Sequence, residues 1–253
     1  MILLENITRS FDGRKALDSV GFSVEGGVVG FLGENGAGKT TTFRILLGLL
    51  APDSGRVELL GRPVRGTDDH AVRSRIGYCP SDDLLYDRLT FRENLELVSR
   101  LRTGDESAWK RREDWLSRFE LEDALDIPFE AGSTGMRKKL QLLASTVGEP
   151  DILLWDEPSN GLDVASVIRM KDLVREWGAK PGRLVFFSSH QIDTVEDLCD
   201  RVLILHRGRL AADIRPEAGA TLRDVGLTKA YLDATVDKAA QKDFPPTRAN
   251  PSS

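Results

Sequence analysis

Short apolar runs alternate along this chain with longer stretches in which apolar residues recur at helical spacing. Apolar runs with the length of a strand stand at residues 28–32, 152–155 and 184–188. Such runs are typical of parallel strands that are buried on both faces. Helical spacing follows at residues 41–49, 164–177 and 192–199. This alternation predicts an α/β fold, with a parallel sheet that is covered on both faces by helices.

The N-terminal part has a different pattern, because strands follow one another there with glycine-containing turns between them. The predicted strands of this part are residues 2–8, 21–25 and 56–60. The N-terminal part is therefore predicted to be rich in β-strands.

Residues 84–147 have a mostly helical pattern and interrupt the α/β body. Thr90 and Glu93 have the spacing of a capping box ahead of a helix that runs to Leu101. Further helices are predicted at residues 109–119 and 136–147, the latter with Lys138 and Lys139 on a solvated face. The resulting division is an α/β domain over 1–215, a C-terminal helical extension over 216–237 and a polar, proline-containing tail, predicted to be disordered, over 238–253.

A glycine-rich turn joins the strand at residues 28–32 to the helix that follows. Residues 33–40 are Gly-Glu-Asn-Gly-Ala-Gly-Lys-Thr, which has the spacing of a phosphate-binding loop. Its glycines let backbone N–H groups converge on phosphate oxygens, while the helix N-terminus and Lys39 add positive charge. Thr40 supplies the hydroxyl expected on Mg²⁺. The predicted residues that bind the nucleotide here are Gly33, Glu34, Asn35, Gly36, Ala37, Gly38, Lys39, Thr40 and Thr41.

Two carboxylates, Asp156 and Glu157, follow the apolar strand at residues 152–155. Ligands of open α/β sheets bind at the C-terminal ends of the strands, so we expect both acids to face the phosphate-binding loop. We assign Asp156 to the Mg²⁺ shell and Glu157 as the general base for a water that attacks the γ-phosphorus.

The composition excludes several classes of protein. The chain has 253 residues, of which 40% are hydrophobic and 30% charged, with a net charge of −5. An acidic balance argues against a general nucleic-acid binder, so no nucleic-acid partner is expected. The sequence contains no signal-peptide pattern and no apolar run of about 20 residues, which predicts a cytoplasmic protein. Cys79 and Cys199 lack the spacing of a zinc motif and are expected to be free thiols.

In their order along the chain, these motifs resemble those of the ATP-binding subunit of ABC transporters, over roughly residues 2–213. The loop at 33–40 matches the family's Walker A motif, 152–157 its Walker B strand and 159–163, Ser-Asn-Gly-Leu-Asp, its D-loop. The remaining matches are Phe11 at the adenine-stacking position, Ser133-Thr134-Gly135-Met136 at the signature motif and His190 at the switch histidine.

This resemblance implies a P-loop NTPase core with an antiparallel β subdomain and a helical insertion, the ABC ATPase fold. It implies ATP hydrolysis with Glu157, His190 and Lys39 as catalytic residues, and ATP and Mg²⁺ as cofactors. The implied partners are an integral membrane permease and a second ATPase, either a copy of this chain or a paralogue. In the implied head-to-tail dimer, Ser133 and Gly135 of one subunit bind the ATP held by the other. The permease would hold the protein on the inner face of the cell membrane.

Two motifs depart from the family's pattern. Ser81 stands where the family has the Q-loop glutamine, and serine is too short to reach the metal in the same way. A water molecule or the carboxylate of Asp82 or Asp83 could replace it. Alternatively, these acids are solvated turn residues or contacts to the permease. In the signature motif, Thr134 replaces a glycine and Met136 a glutamine, a form that resembles bacterial export-type ATPases and favours an exporter.

Three functions remain open from the sequence. The leading hypothesis is an ATPase subunit that drives a separate permease. A second is a degenerate or regulatory cassette with slow turnover, which Ser81 favours and the intact Lys39, Asp156 and Glu157 oppose. A third is a soluble ABC-type ATPase of DNA repair or translation. Such proteins usually carry long coiled-coil insertions or two cassettes, and this sequence has neither.

Overall fold

The computed structural model describes residues 1–64, 66 and 70–235, so the predicted disordered tail at 238–253 lies outside the described residues. The strands are β1 (Ile2–Phe11), β2 (Arg14–Val24), β3 (Gly27–Leu32), β4 (Ser54–Leu59), β5 (Arg62–Pro63), β6 (Ile76–Cys79), β7 (Ile152–Trp155), β8 (Leu184–Ser189), β9 (Arg201–His206) and β10 (Arg209–Ile214). The α-helices are α1 (Lys39–Leu46), α2 (His70–Arg73), α3 (Phe91–Thr103), α4 (Glu113–Arg118), α5 (Thr134–Thr146), α6 (Val164–Gly178), α7 (Ile192–Leu198), α8 (Leu222–Val225) and α9 (Leu227–Thr235). Short 3₁₀ turns lie at Ala108–Arg112, Glu122–Ala124 and Phe129–Ala131.

Two sheets pack around a shared core. The larger has the strand order β10-β9-β3-β8-β7-β6 and is parallel except for β10, which pairs antiparallel with β9. The smaller sheet, β2-β1-β4-β5, is antiparallel. Four aromatic rings with contacting centroids 5.3–6.2 Å apart join β2, β3, α1 and β8; they are Phe22, Phe31, Phe43 and Phe186. The predicted α/β fold with an antiparallel subdomain is confirmed.

The helical insertion differs from its prediction in one element. The capping box of Thr90 and Glu93 begins α3 as expected. The single helix predicted at residues 109–119 is wrong, because a 3₁₀ turn and then α4 occupy this stretch. Trp109 and Trp115 are both buried, yet they would lie about 120° apart around one continuous helix. Breaking the helix between them lets both indoles enter the same core.

Lys138 and Lys139 on α5 are not on a solvated face, so that prediction is wrong. Both side chains are buried, at 4% and 7% exposure. Lys138 Nζ donates to the carbonyl of Pro80 at 2.6 Å, and Lys139 Nζ donates to that of Phe119 at 2.9 Å. Helix α5 is buried from Lys138 to Thr146, so these two lysines bond to backbone carbonyl groups where lysines of a surface helix would bond to water.

The C-terminal part closes the large sheet. Strand β10, which the sequence analysis did not predict, forms its edge, and α8 and α9 pack near α7 through the buried Leu222 and Leu227. The domain boundaries at 215 and 237 stay predictions. Cys79 and Cys199 are free, as expected, and both are buried. In the part of the chain that the structure describes, no helix is long and apolar enough to cross a membrane.

Candidate nucleotide-binding site

The phosphate-binding loop links β3 to α1. Two of its positions must be glycine, because neighbouring backbone leaves no room for a Cβ atom. Gly38 has φ +112°, and a Cβ there would lie 2.7 Å from the carbonyl oxygen of Ala16. A Cβ on Gly33 would lie 2.4 Å from the carbonyl oxygen of Leu205. The loop therefore lies tightly against β2 and β9, and α1 begins at Lys39. The N–H groups of the first helical turn have no partner within the helix, so they can bind an anion at this end.

Lys39 is almost fully buried, at 6% exposure, and its ammonium has acceptors on three sides. Nζ donates to the carbonyl of Gly33 at 2.7 Å and to that of Glu34 at 3.1 Å. Glu157 Oε1 lies 3.1 Å from the same nitrogen. These contacts hold the charge inside the curl of the loop, where a phosphate group would bind.

Asp156 lies directly across from the loop and is fully buried. Thr40 Oγ1 donates to Asp156 Oδ2 at 2.6 Å, so the two residues predicted to hold Mg²⁺ are in contact. Hydroxyl and carboxylate oxygens are the hard donors that Mg²⁺ prefers, and nucleotide-bound Mg²⁺ needs only one or two protein ligands. Within residues 1–64, 66 and 70–235, no group of three or more His, Cys, Asp or Glu side chains could hold a metal by itself. The pair fits a metal that arrives with phosphate ligands.

Glu157 lies between the loop and His190. Its Oε2 is 2.9 Å from His190 Nδ1, while its Oε1 faces Lys39. Its backbone has φ +49°, in the left-handed region that non-glycine residues rarely adopt. The imidazole is 40% exposed, in contrast to the buried carboxylate. Strands β3, β7 and β8 are parallel, so the segments that follow them lie at the same edge of the sheet. These segments carry the phosphate-binding loop, Glu157 and His190.

A cavity of about 300 Å³ opens between these elements. Its lining residues are Ala16, Asn35, Gly36, Gly38, Lys39, Thr40, Thr41, Ser81, Glu157 and Asn160. Much of the phosphate-binding loop and the predicted general base, Glu157, therefore line the same cavity. Asn160, which the sequence analysis placed in the D-loop without a role, also faces it. Its place in the D-loop motif was the signal in the sequence that could have pointed to it.

Phe11 and the signature residues Ser133 and Gly135 are predicted site residues that do not line this cavity. Phe11 ends β1 with 44% exposure, and the guanidinium carbon of Arg9 is 5.0 Å from its ring centroid. Ser133 is exposed and caps α5 by accepting the N–H of Met136 at 3.2 Å. Gly135 follows in the first turn of that helix, where a Cβ would lie 3.2 Å from the carbonyl oxygen of Gly161. The signature segment therefore presents a helix N-terminus outside its own loop cavity.

The segment that departs from the family pattern is divided between two contacts. Ser81 lines the cavity, and Asp82 is exposed. Asp83 bonds to α5 instead, with Oδ2 2.7 Å from Arg137 Nη1 and Oδ1 accepting from Gln141 Nε2 at 2.8 Å. In this structure α5 therefore holds the Asp83 carboxylate, and the roles expected of Asp82 and Asp83 stay predictions.

A second cavity, the apolar groove, lies between α1, the Q-loop and α3. Its volume is about 470 Å³, and its rim includes the exposed Leu49, Leu84 and Leu101. Arg102 also lines the groove, and burial lowers its pKa to about 10. Its guanidinium donates to the carbonyls of Ile76 at 2.8 Å and Ser74 at 3.1 Å. The groove therefore combines an apolar surface with a positive charge.

The sequence profile of the family described as ABC transporter matches residues 17–160, more than half of the chain. The chain belongs to the ABC transporter family. It is 36% identical over 236 residues to the daunorubicin resistance ATP-binding protein DrrA3 of Streptomyces coeruleorubidus, covering 90% of this chain and 74% of that protein. It is also 36% identical over 215 residues to the Nod factor export ATP-binding protein I of Burkholderia orbicola, covering 84% and 70%.

A solved structure described as the ATP-binding subunit of an ABC transporter superposes with a TM-score of 0.80. It shares 29% sequence identity, and the match covers 96% of this chain and 98% of that one. The chain is thus an ATP-binding subunit of the ABC transporter type, and the predicted resemblance, fold and ATPase class are confirmed.

Proposed function

We propose that this ABC-type subunit hydrolyses ATP to power a separate membrane permease that works as an exporter. The observation that carries the proposal is the placement of Glu157. This buried carboxylate lies between Lys39 and His190 and lines the loop cavity, where an attacking water would sit. Hydrolysis needs this arrangement, which favours an active ATPase over a degenerate cassette.

The residues divide the work on ATP. The loop N–H groups and Lys39 bind the β- and γ-phosphates and stabilise the charge that develops on them. Glu157 accepts the proton of the attacking water, and His190 holds that carboxylate and contacts the γ-phosphate. Thr40 and Asp156 hold Mg²⁺, which supplies charge neutralisation when bound. Phe11 provides a stacking surface for adenine.

The position of the signature segment supports a head-to-tail dimer, of two copies of this chain or of this chain and a paralogue. Ser133 and Gly135 stand at the N-terminus of a 13-residue helix, a site suited to an anion. They do not line the cavity of their own loop, whereas the ATP of a second subunit could reach them. Each ATP would then lie between the loop of one subunit and the signature segment of the other.

The apolar groove supports a permease partner. Leu49, Leu84 and Leu101 are 59%, 62% and 65% exposed, and exposed apolar patches of this kind mark protein contacts. The groove adjoins the Q-loop, so a segment bound there would sense changes around Ser81. A permease bound in this way would place the subunit on the inner face of the membrane. The export direction is supported by the similar Nod factor export protein.

Affinity capture tests the permease partner. Tagged Glu157→Gln protein, expressed in its own cells, is purified from detergent-solubilised membranes, and its partners are identified by mass spectrometry. A polytopic membrane protein is expected with the native groove and not with Leu84→Asp or Leu101→Asp. Ile168→Asp is the control, since Ile168 is also exposed, at 55%, but lies on α6. If the groove variants capture the membrane protein as well as the native groove does, the permease does not bind in the groove. If no membrane protein is captured at all, the proposal of a permease partner is contradicted.

A regulatory subunit with slow turnover is the second candidate. Ser81 favours it, because the serine lines the cavity but is too short to replace glutamine at the metal. The two candidates differ in steady-state ATP turnover, which should be slow for the regulatory subunit even with saturating Mg²⁺.

A further inference from the structure

One buried hydroxyl group connects the two acids of the site. Ser188, in β8, is fully buried. Its Oγ lies 2.5 Å from Asp156 Oδ1 and 2.9 Å from the backbone nitrogen of Glu157. The predicted metal ligand and the predicted general base are therefore both hydrogen-bonded to the same atom.

The direction of both bonds follows from counting protons. The N–H of Glu157 can only donate, so Ser188 Oγ accepts it. The single hydroxyl proton is then directed to Asp156, whose ionised carboxylate can only accept. The second oxygen of Asp156 accepts a hydrogen bond from the hydroxyl group of Thr40. Each oxygen of this carboxylate thus accepts one hydroxyl group, which fixes its orientation towards the loop.

The same hydroxyl supports an unusual backbone. Trp155, the last residue of β7, is paired with Phe187 in β8. The residues that follow this pair are Asp156 after β7 and Ser188 in β8. Glu157 then leaves the strand with φ +49°, where the regular pairing of β7 and β8 no longer takes its N–H. Ser188 accepts that N–H through its side chain. On the other side, β6 holds the turn by accepting the N–H of Asp156 on the carbonyl of Cys79 at 2.8 Å.

We infer that Ser188 is a positioning residue for ATP hydrolysis, because its hydroxyl orients Asp156 and Glu157 together. The inference rests on the proposed function, in which these acids hold Mg²⁺ and activate water. Without the hydroxyl, Asp156 loses one of its two orienting donors, and the turn that aims Glu157 loses a hydrogen bond. Binding of the phosphates by the loop should be kept, because the hydrogen bonds of the Ser188 side chain go to Asp156 and Glu157.

Ser188→Ala tests the inference, with Ser188→Thr as the variant that keeps the hydroxyl. Ser99→Ala is the matched control: Ser99 is also fully buried and accepts a backbone N–H, from Trp109 at 3.1 Å, but it lies in α3. Each protein is assayed for kcat and KM of ATP turnover and for Tm. In addition, a fluorescent ATP analogue is titrated in EDTA and at increasing Mg²⁺, which measures the effect of the metal on binding without turnover.

For Ser188→Ala we expect kcat to fall about 10- to 100-fold, as for loss of a hydrogen bond to a charged group. Nucleotide affinity in EDTA should stay within about twofold, while the gain in affinity on adding Mg²⁺ shrinks. Ser188→Thr should restore most of both properties. Ser99→Ala should lower Tm while keeping kcat and the Mg²⁺ effect.

The inference is overturned if Ser188→Ala keeps the wild-type kcat and Mg²⁺ effect, or if Ser99→Ala loses them equally. It is also overturned if Ser188→Thr behaves like alanine. Should Ser188→Ala yield no folded protein, Ser188→Cys, a weaker donor of similar size, takes its place in the same comparison. A wild-type protein without turnover would contradict the proposed function. The Mg²⁺ effect on nucleotide binding would still decide the role of Ser188.

Discussion

Replacing Glu157 by glutamine removes a negative charge from the centre of the site and leaves its shape. In the structure, the carboxylate lies 3.1 Å from Lys39 Nζ and 2.9 Å from His190 Nδ1. The amide of Glu157→Gln can still accept a hydrogen bond from one of these groups. It cannot take a proton from water, so only the chemical step is lost.

The size of the effect can be estimated for hydrolysis and for binding separately. A general base contributes about 10²–10⁴-fold to a rate, or about 2.7–5.5 kcal/mol of barrier. The attraction between Lys39 and Glu157 at 3.1 Å is about 5 kcal/mol at an effective dielectric of 20, before the cost of desolvation. This attraction competes with a phosphate for the ammonium group. The variant should therefore bind ATP at least as tightly as the wild type.

Phosphate release, nucleotide titration and gel filtration test this prediction together. Glu157→Gln should lose turnover by about 10²–10⁴-fold and accumulate as an ATP-bound dimer. Glu106→Gln is the control, because it makes the same substitution at an exposed ion pair with Arg100. Normal turnover of Glu157→Gln would refute its role as the base. A monomer with bound ATP would refute the enclosed dimer.

Three further predictions concern other contacts. Lys39→Ala should abolish tight ATP binding, because an ammonium about 4 Å from a phosphate charge contributes about 4 kcal/mol; an unchanged affinity in titration would remove the loop from the mechanism. Asp83→Asn and Arg137→Gln should be non-additive in unfolding free energy by about 0.5–1 kcal/mol without shifting the Mg²⁺ requirement of turnover, and additive losses would contradict their ion pair. Asp197→Asn should lower Tm at neutral pH, because hydrogen bonding to Lys171 lowers the pKa of Asp197. That stabilisation is present above about pH 3.9 and is lost as the pH falls through the lowered pKa, so a difference in Tm that persists in acid would contradict it.

The order of the elements and the centre of the site could be predicted because their signals are local. The loop at residues 33–40 carries its own spacing, and the runs at 28–32 and 152–155 have the short length and apolar composition that favour buried strands. Once these strands are parallel, the acids that follow them must meet the loop at one edge. The contact between Thr40 and Asp156 is the direct result.

What the sequence could not predict depends on contacts between distant segments. Strand β10 alternates between partly covered and exposed residues and is recognisable only by its pairing with β9. Lys138 is charged, yet it is buried because the Pro80 carbonyl, from a loop 58 positions earlier, accepts a hydrogen bond from its ammonium group. Ser188 belongs to an apolar strand, and its hydroxyl gains a role only because β7 ends beside it.

Steady-state ATP turnover by the purified wild-type protein tests the central claim most directly. The assay measures phosphate release with saturating ATP, at increasing Mg²⁺ and in EDTA, with Lys39→Ala as the blank. A motor subunit is predicted to show continuous turnover that requires Mg²⁺ and disappears in EDTA and in Lys39→Ala. Tight ATP binding without turnover above that blank would contradict the claim and identify the chain as a regulatory nucleotide-binding subunit.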